Sequence, residues 1–366
     1  MKVALIFGTR PEAIKMASIY HELKNNGVDV NVISTGQHKE MLYQVLNLFF
    51  IKPDYELGIM KQGQSLSQIT SRLLLKLEEI IAKEKFDYIL VQGDTTSALV
   101  GALVGFYNKI PVGHIEAGLR TGNIYSPFPE EANRKLIGNI ANIHFAPTDT
   151  NVKNLLLENY DNKKILKVGN TVIDALMWVK KNKSTNLNQI KNKYEIKNKK
   201  YILMTMHRRE NWGKPMEEVL KGVRKYLEEN QELYLVFPIH SNPIVKETVR
   251  KSLDGFERKI LLEPLEYLEF IAVMDGAHFI MTDSGGIQEE APSLGKPTLV
   301  LRDTTERPEA IEAGTAKLIG TTKEEVYKYM KLLEGELYIE MSKANNPYGD
   351  GKASKKIVEE LIKNGK

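Results

Sequence analysis

The amino-acid sequence predicts an α/β protein of two doubly wound, Rossmann-like units, and three observations predict it. Short β-branched runs alternate with amphipathic helical stretches along almost the whole chain, the pattern of parallel βαβ units. At 366 residues the chain exceeds what one hydrophobic core usually serves, so two domains are expected. Apolar residues make up 42% and charged residues 27%, an ordinary globular balance.

In the first half, buried strands are expected at 3–7, 28–34, 88–91, 112–115 and 144–146, with helices at about 11–25, 37–48, 65–84, 95–107, 130–139 and 148–158. In the second half, strands fall near 165–167, 201–206, 233–237, 260–262, 278–282 and 297–301. The intervening helices lie near 171–180, 215–229, 243–252, 267–273, 285–293, 306–312 and 323–333. Residues 180–200 are polar and without periodicity. They follow the first helix of the second unit, so the domain boundary is placed near Gly169, giving domains 1–168 and 169–352. An amphipathic helix over 353–366 is expected to pack back on the first domain. Two doubly wound lobes turn the carboxyl ends of their strands toward a shared cleft, where α/β proteins bind ligands.

The net charge of +4 is spread along the chain with no long basic arm, so nucleic-acid binding is disfavoured. There are no cysteines, which excludes disulfides, thiolate metal sites and a cysteine nucleophile. The first residues have no cleavable signal pattern, and no apolar run approaches the ~18–20 residues of a membrane span. A soluble, cytoplasmic protein without membrane contact is expected. No His/Asp/Glu spacing reads as a metal site. No G-x-G-x-x-G follows any strand, which disfavours a nicotinamide cofactor.

The chemistry is sought at strand ends. Strand 278–282 runs into Thr282-Asp283-Ser284-Gly285-Gly286-Ile287-Gln288-Glu289-Glu290. Gly285 and Gly286 let a ligand approach the backbone, the free amides of a helix start attract phosphate oxygens, and Ser284 adds a hydroxyl. Glu290, one turn further, suits the two hydroxyls of a ribose. A capped helix start alone would explain Ser-Gly-Gly; the strand before it and the acid after it favour a diphosphate site. Gly8-Thr9-Arg10-Pro11-Glu12 follows the first strand in the same way. Pro11 and Glu12 are explained as structure, by the first helical position and the helix dipole. Arg10 and Lys15 are either solvated surface charges or cations for a diphosphate.

Asp94, Glu116, Glu130 and Glu131 all follow strand ends or precede a helix. Asp94 also fits a helix N-cap. Carboxylates gathered in one cleft need cationic partners or a role as proton carriers, and Arg120 and Arg134 are near enough in sequence to be such partners. His207, with Arg208 beside it, follows strand 201–206, and His240 follows strand 233–237; either histidine suits proton transfer or phosphate binding, or a place in the cleft wall.

Taken together, the motifs resemble one family, the non-hydrolysing UDP-N-acetylglucosamine 2-epimerases. The matching segments are Phe7-Gly8-Thr9-Arg10-Pro11-Glu12, Gln92-Gly93-Asp94-Thr95-Thr96, His114-Ile115-Glu116-Ala117-Gly118-Leu119-Arg120-Thr121 and Pro127-Phe128-Pro129-Glu130-Glu131-Ala132-Asn133-Arg134. The series continues with His207-Arg208-Arg209-Glu210-Asn211, the run from Thr282 to Pro292, Arg302-Asp303-Thr304-Thr305-Glu306-Arg307-Pro308-Glu309 and Asn346-Pro347-Tyr348-Gly349-Asp350-Gly351. The resemblance implies a glycosyltransferase-B-like fold, a homodimer, no external cofactor, and conversion of UDP-N-acetylglucosamine to UDP-N-acetylmannosamine through 2-acetamidoglucal and UDP. It implies Asp94, Glu116 and Glu130 as the acid/base set. It implies Arg10, Lys15, His207, Ser284, Gly285 and Gly286 as the grip on the phosphates, Glu290 as ribose ligand and Arg307 as a cleft cation. Gln37, His38, Glu40, Arg208 and His240 match a pocket where some bacterial members bind a second substrate molecule as activator. Gly63 falls where those members carry arginine, a departure that weakens the expectation of activation.

The rival readings are a glycosyltransferase, which needs an acceptor; a hydrolysing relative, which releases free sugar; and a sugar-nucleotide sensor, which binds without turnover.

Overall fold

The computed structural model describes residues 1–36, 39–60 and 63–364. They fall into two compact units, one of Met1–Trp178 with Tyr348–Lys366, the other of Val179–Pro347.

The first unit carries strands β1 (Lys2–Phe7), β2 (Asp29–Ser34), β3 (Tyr55–Glu56), β4 (Tyr88–Gln92), β5 (Val112–Ile115), β6 (Ile143–Ala146) and β7 (Ile165–Lys167). Its helices are α1 (Arg10–Asn25), α2 (Lys39–Leu48), α3 (Leu66–Lys83), α4 (Thr96–Tyr107), α5 (Glu130–Ile140), α6 (Asp149–Leu157) and α7 (Thr171–Asn182), the last running across the boundary after Trp178. The second unit adds α8 (Ser184–Lys193), β8 (Lys200–Thr205), α9 (Lys214–Glu229), β9 (Leu233–Pro238), α10 (Pro243–Ser252), β10 (Lys259–Leu262), α11 (Tyr267–Gly276) and β11 (Phe279–Thr282). It continues with α12 (Gly285–Glu290), β12 (Thr298–Val300), α13 (Pro308–Glu312), β13 (Ala316–Leu318), α14 (Lys323–Leu332) and α15 (Glu336–Lys343). Helix α16 (Ala353–Asn364) returns to the first unit.

All pairings are parallel, in the orders β3-β2-β1-β4-β5-β6-β7 and β10-β9-β8-β11-β12-β13. Parallel strands covered on both faces must be apolar at successive positions, and β4 is buried at every residue. Each fully buried Leu, Ile or Phe contributes roughly 1.5–3 kcal/mol. In the first unit Ile6, Ile89 and Val91 meet Leu73 and Leu77 of α3 and Ala98 and Val104 of α4. A Cβ on Gly105 would come within 2.6 Å of Val112 Cγ2, so α4 lies directly on the sheet. In the second unit Met204, Phe237, Phe279 and Leu299 pack with Val223 of α9 and Val326 and Met330 of α14.

Four elements escape the sequence pattern. β3 and β13 are only two and three residues long. Helix α8 lies inside the polar stretch 180–200 and buries only Leu187. Charge adds to its hold: its Lys191 lies 2.6 Å from Asp275, an acid that Lys180 of α7 also meets at 3.1 Å. α15 buries only Met341. The helix expected at 285–293 is α12 followed by a 3-10 turn, Ala291–Leu294, because Pro292 has no amide to give and its ring crowds the preceding turn. α13 starts at Pro308 rather than 306, the first-turn position that suits proline.

The return of the chain is anchored within the first unit. Asp174 of α7 accepts Ala353 N at 3.2 Å and Ser354 N at 2.7 Å, and Ser354 Oγ lies 2.8 Å from Ser18 Oγ of α1.

His114 and His144 face each other as Cα partners on β5 and β6, and each is 1% exposed. His114 Nε2 lies 2.7 Å from Gly93 O, while neither Nδ1 has a partner among the described residues. Burial, first of all, pushes both rings down to about 4 from the ordinary 6.5. Unfolding releases them to titrate normally, so below pH 6.5 the unfolded chain takes up protons that the folded chain refuses. Their contribution is intact above pH 6.5, declines as the pH falls toward 4, and levels off below. Urea titrations from pH 7 to 4.5 should show unfolding free energy falling with pH, and His144→Gln should remove about one proton from that slope. A slope unchanged by the substitution would contradict neutral burial.

Candidate active site

In each sheet the winding reverses once, between β1 and β4 in the first unit and between β8 and β11 in the second. Ligands of open α/β sheets bind at such points, beside the carboxyl ends of the strands. The loops there are 8–9 and 93–95 in the first unit, and 206–208 and 283–284 in the second.

In the first unit the loops are tied by Glu12, which is 2% exposed. Its carboxylate accepts Gly8 N at 3.1 Å, Thr9 N at 2.8 Å and Thr95 Oγ1 at 2.7 Å. Burial raises its carboxyl above the ordinary range, and these hydrogen bonds offset that only in part. Glu12 is therefore more than the dipole partner expected of it. Thr95, not Asp94, caps α4, its side chain accepting Ala98 N at 3.1 Å. Asp94 is thereby relieved of the capping role that its position suggested.

Asp94 is engaged by Arg134 of α5, with Nη2 and Nε 2.7 and 2.8 Å from Oδ2. The same guanidinium holds Glu131 at 2.9 Å, and Glu131 accepts Gly122 N at 3.2 Å. Asn133 Nδ2 donates to Asp94 O at 2.7 Å. The carboxylate of Glu130, the half-buried first residue of α5, makes no hydrogen bond or ion pair with a described residue. Glu116 follows β5 in the left-handed region at φ 62°. Both its oxygens lie 2.6 Å from Lys15 Nζ, and it also accepts from Gln92 Nε2 and, at 3.2 Å, from Asn170 Nδ2. A Cβ on Gly118, at φ 93°, would stand 2.3 Å from Asn151 O, so this turn admits only glycine.

The first unit thus brings Asp94 and Glu116 to the ends of β4 and β5, with Arg134 and Lys15 beside them, and Glu130 opens the helix whose Asn133 and Arg134 reach Asp94. Arg10 opens α1, and its guanidinium pairs with no described residue. Arg120 is no partner of these acids. It binds Glu158 instead, with Nη2 2.7 Å from Oε2.

The second unit is organised on Asp283, which is fully buried. It accepts His207 N at 3.0 Å, Arg208 N at 2.9 Å, Asn211 Nδ2 at 3.0 Å and His207 Nδ1 at 3.0 Å. Burial pushes this carboxyl up, but His207, the Arg208 amide and Asn211 outweigh it and hold the group below the ordinary range. With Nδ1 engaged, the half-exposed His207 ring presents Nε2 outward. Arg208 Nε donates to Asp283 O at 3.0 Å and its other nitrogens reach Glu306 at 3.3–3.4 Å.

Ser284 N donates to Thr282 Oγ1 at 3.0 Å, which shapes the turn into α12. Apart from its chain neighbours and the backbone of its own helix, nothing described lies within 4 Å of a Cβ placed on Gly285, and only Ser284 Oγ, at 4.0 Å, approaches one on Gly286. Neither residue has a positive φ, so packing and backbone conformation do not require glycine at these two positions. What the glycines leave is open backbone. Glu290 accepts Tyr267 Oη at 2.9 Å. Arg307 donates to Glu289 and, at 3.1 Å, to Glu306 O. His240 Nδ1 accepts Asn242 N at 3.2 Å, and its ring lies 5.5 Å from that of Trp212.

Glu40 is exposed in the first turn of α2, whereas Gln37 and His38 lie outside the described residues. The residues to which sequence reasoning gave no role of their own are Asn133, Gln92, Asn170 and Asp283. Asp283 alone carried a signal, as the acid between a strand and Ser-Gly-Gly. Among the described residues no group of three or more His, Asp or Glu side chains could hold a metal ion, and no helix is long and apolar enough to cross a membrane.

Residues 21–362 match the family model described as UDP-N-acetylglucosamine 2-epimerase. The chain is 51% identical over 367 residues to the UDP-N-acetylglucosamine 2-epimerase of Bacillus subtilis, covering 99% of this chain and 95% of the relative. It resembles the crystal structure of the Neisseria meningitidis UDP-GlcNAc 2-epimerase bound to UDP-GlcNAc, with a TM-score of 0.86, 48% identity and complete coverage of both chains. A fold likeness alone, at 14% identity and a TM-score of 0.59 over 99% of each chain, extends to the Acinetobacter baumannii MurG structure. The fold is glycosyltransferase-B-like, two Rossmann-type units in one chain.

Among the described residues Arg134 is the only cationic partner of the buried Glu131, so Arg134→Leu should destabilise the protein by about 3–5 kcal/mol, while Arg134→Lys should cost less. Urea denaturation measures both. Loss of under about 1 kcal/mol in Arg134→Leu would show that the pair is not holding the loop.

Proposed function

The chain belongs to the family of non-hydrolysing UDP-N-acetylglucosamine 2-epimerases, and from that premise we propose that it interconverts UDP-N-acetylglucosamine and UDP-N-acetylmannosamine. The proposed route is elimination of UDP followed by its re-addition.

The hydrogen at C2 of the sugar is not acidic, so its direct removal at neutral pH is very slow. Cleavage of the C1–oxygen bond, with UDP keeping the electron pair, builds positive charge on the ring. A carboxylate can then take the C2 proton and leave 2-acetamidoglucal. Return of UDP to C1, with a proton delivered to the other face of C2, completes the epimerisation. Two faces require more than one acid/base group. A reactive glycal must also be kept from water.

The observation that carries this reading is a set of differently supported carboxylates, two at the carboxyl ends of the adjacent strands β4 and β5 and one at the start of α5. Asp94 is held by Arg134, Glu116 by Lys15 and two amides, and Glu130 has no partner among the described residues. These are the proposed proton carriers on the first unit. His207 Nε2, Ser284 and the open backbone at Gly285 and Gly286 are the proposed phosphate contacts on the second unit, with Arg10 and Lys15 adding charge and Arg307 a further cation. Glu290 is the proposed ribose ligand, held in place by Tyr267. The reading includes a cytoplasmic homodimer needing no external cofactor, as the family resemblance implies. Activation by a second substrate molecule is expected to be weak. Gly63 has a left-handed backbone at φ 75°, and the family resemblance places an arginine there in the activated members.

Incubation with UDP-N-acetylglucosamine in deuterated water should place deuterium at C2 of both epimers, read by proton NMR. Product without label would exclude the elimination route. Asp94→Asn should lower turnover by about 100-fold or more while UDP still binds, measured by calorimetry. Near-normal turnover would remove Asp94 from the acid/base set.

A further inference from the structure

Glu116 is supported by two side chains that do not titrate. Gln92, the last residue of β4, donates from Nε2 to Oε2, and Asn170 donates from Nδ2 to Oε1 at 3.2 Å. Each is 3% exposed. The orientation of the Asn170 amide is dictated by its other neighbour: Val172 N is a donor, 3.1 Å from Oδ1, so the nitrogen end must face Glu116. The Asn170 backbone is itself tethered, its N donating to Tyr348 O at 2.6 Å. A Cβ on Gly169 would stand 3.2 Å from that same oxygen. The chain's return at 348–349 therefore braces the residue that braces Glu116.

Amide donors stabilise the ionised form of a carboxylate and fix the direction of its oxygens. The Lys15 ammonium does the first but, on a flexible stem, does the second poorly. Gln92 ends a buried strand and Asn170 precedes a helix, and both are rigid supports. We infer that Gln92 and Asn170 are positioning residues that hold Glu116 ionised and correctly turned for proton transfer. They act through Glu116 and touch no substrate atom. The inference rests on the proposed acid/base role of Glu116.

Asn170→Asp separates this role from helix capping. Aspartate keeps an oxygen for Val172 N, so a residue that only starts α7 should lose nothing. It replaces the N–H facing Glu116 by a second carboxylate oxygen, which removes a donor and disfavours the ionised form. The expected result is a fall in kcat of about 10- to 100-fold with the acid limb of its pH profile moved upward. KM and the Kd for UDP should stay near the wild-type values. Gln92→Met, which strips a donor from the other oxygen, should give the same signature and decides the matter if Asn170→Asp fails to fold. Folded variants with wild-type kcat and an unmoved acid limb would overturn the inference. A wild-type enzyme that puts no deuterium at C2 would instead overturn the epimerase reading, and this inference with it.

Discussion

One buried carboxylate fastens two loops at the point where each sheet reverses its winding. In the first unit Glu12 ties the loop after β1 to the loop after β4. In the second, Asp283 ties the loop after β11 to the loop after β8. A carboxylate withdrawn from water costs several kcal/mol unless its oxygens are satisfied. Both acids satisfy that demand with backbone amides and short side chains from the neighbouring loop. The cost of burial is thereby converted into loop order, and every candidate residue at these points inherits it. Arg10 and Asp94 stand on loops that Glu12 sets, and His207, Arg208 and Ser284 on those that Asp283 sets.

Around these staples, burial sorts structural acids from available ones. Glu130 and Glu131 are neighbours in α5 with opposite circumstances. Glu131 is wholly buried, and it takes Arg134 and the Gly122 amide as partners. Glu130 reaches solvent and needs none. Arg134 joins the two kinds, because the guanidinium that neutralises Glu131 also orients Asp94. A fork with five donors can do this, and an ammonium cannot with the same geometry. In the second unit the Asp283–His207 contact has a parallel effect. Engaging Nδ1 fixes the ring so that Nε2 is the nitrogen left for chemistry.

The fold was legible because its signal is local. Strands buried on both faces leave unbroken apolar runs, and the elements between them carry helical periodicity. The candidate site was legible where chemistry-bearing residues stand at a strand end, as with Asp94, Glu116 and Ser284-Gly285-Gly286, which stay proposals. It was not legible for residues whose chemistry is common. Gln92 and Asn170 are ordinary polar residues until a carboxylate 24 or 54 positions away meets them. Arg120 and Arg134 are alike in sequence, and only their distances, to Glu158 and to Asp94, tell them apart.

The sequence by itself determined the α/β class, the pairing of two doubly wound units and the identity of the titratable candidates. Those properties follow from periodicity and from residue types at turns, which neighbouring positions encode. Tertiary structure alone decided that Thr95 rather than Asp94 caps α4, that Lys15 meets Glu116 across 101 positions, and that Asp283 organises His207 across 76. Pairing depends on distances of a few ångströms between residues far apart in the chain. Only the packed sheets bring them there.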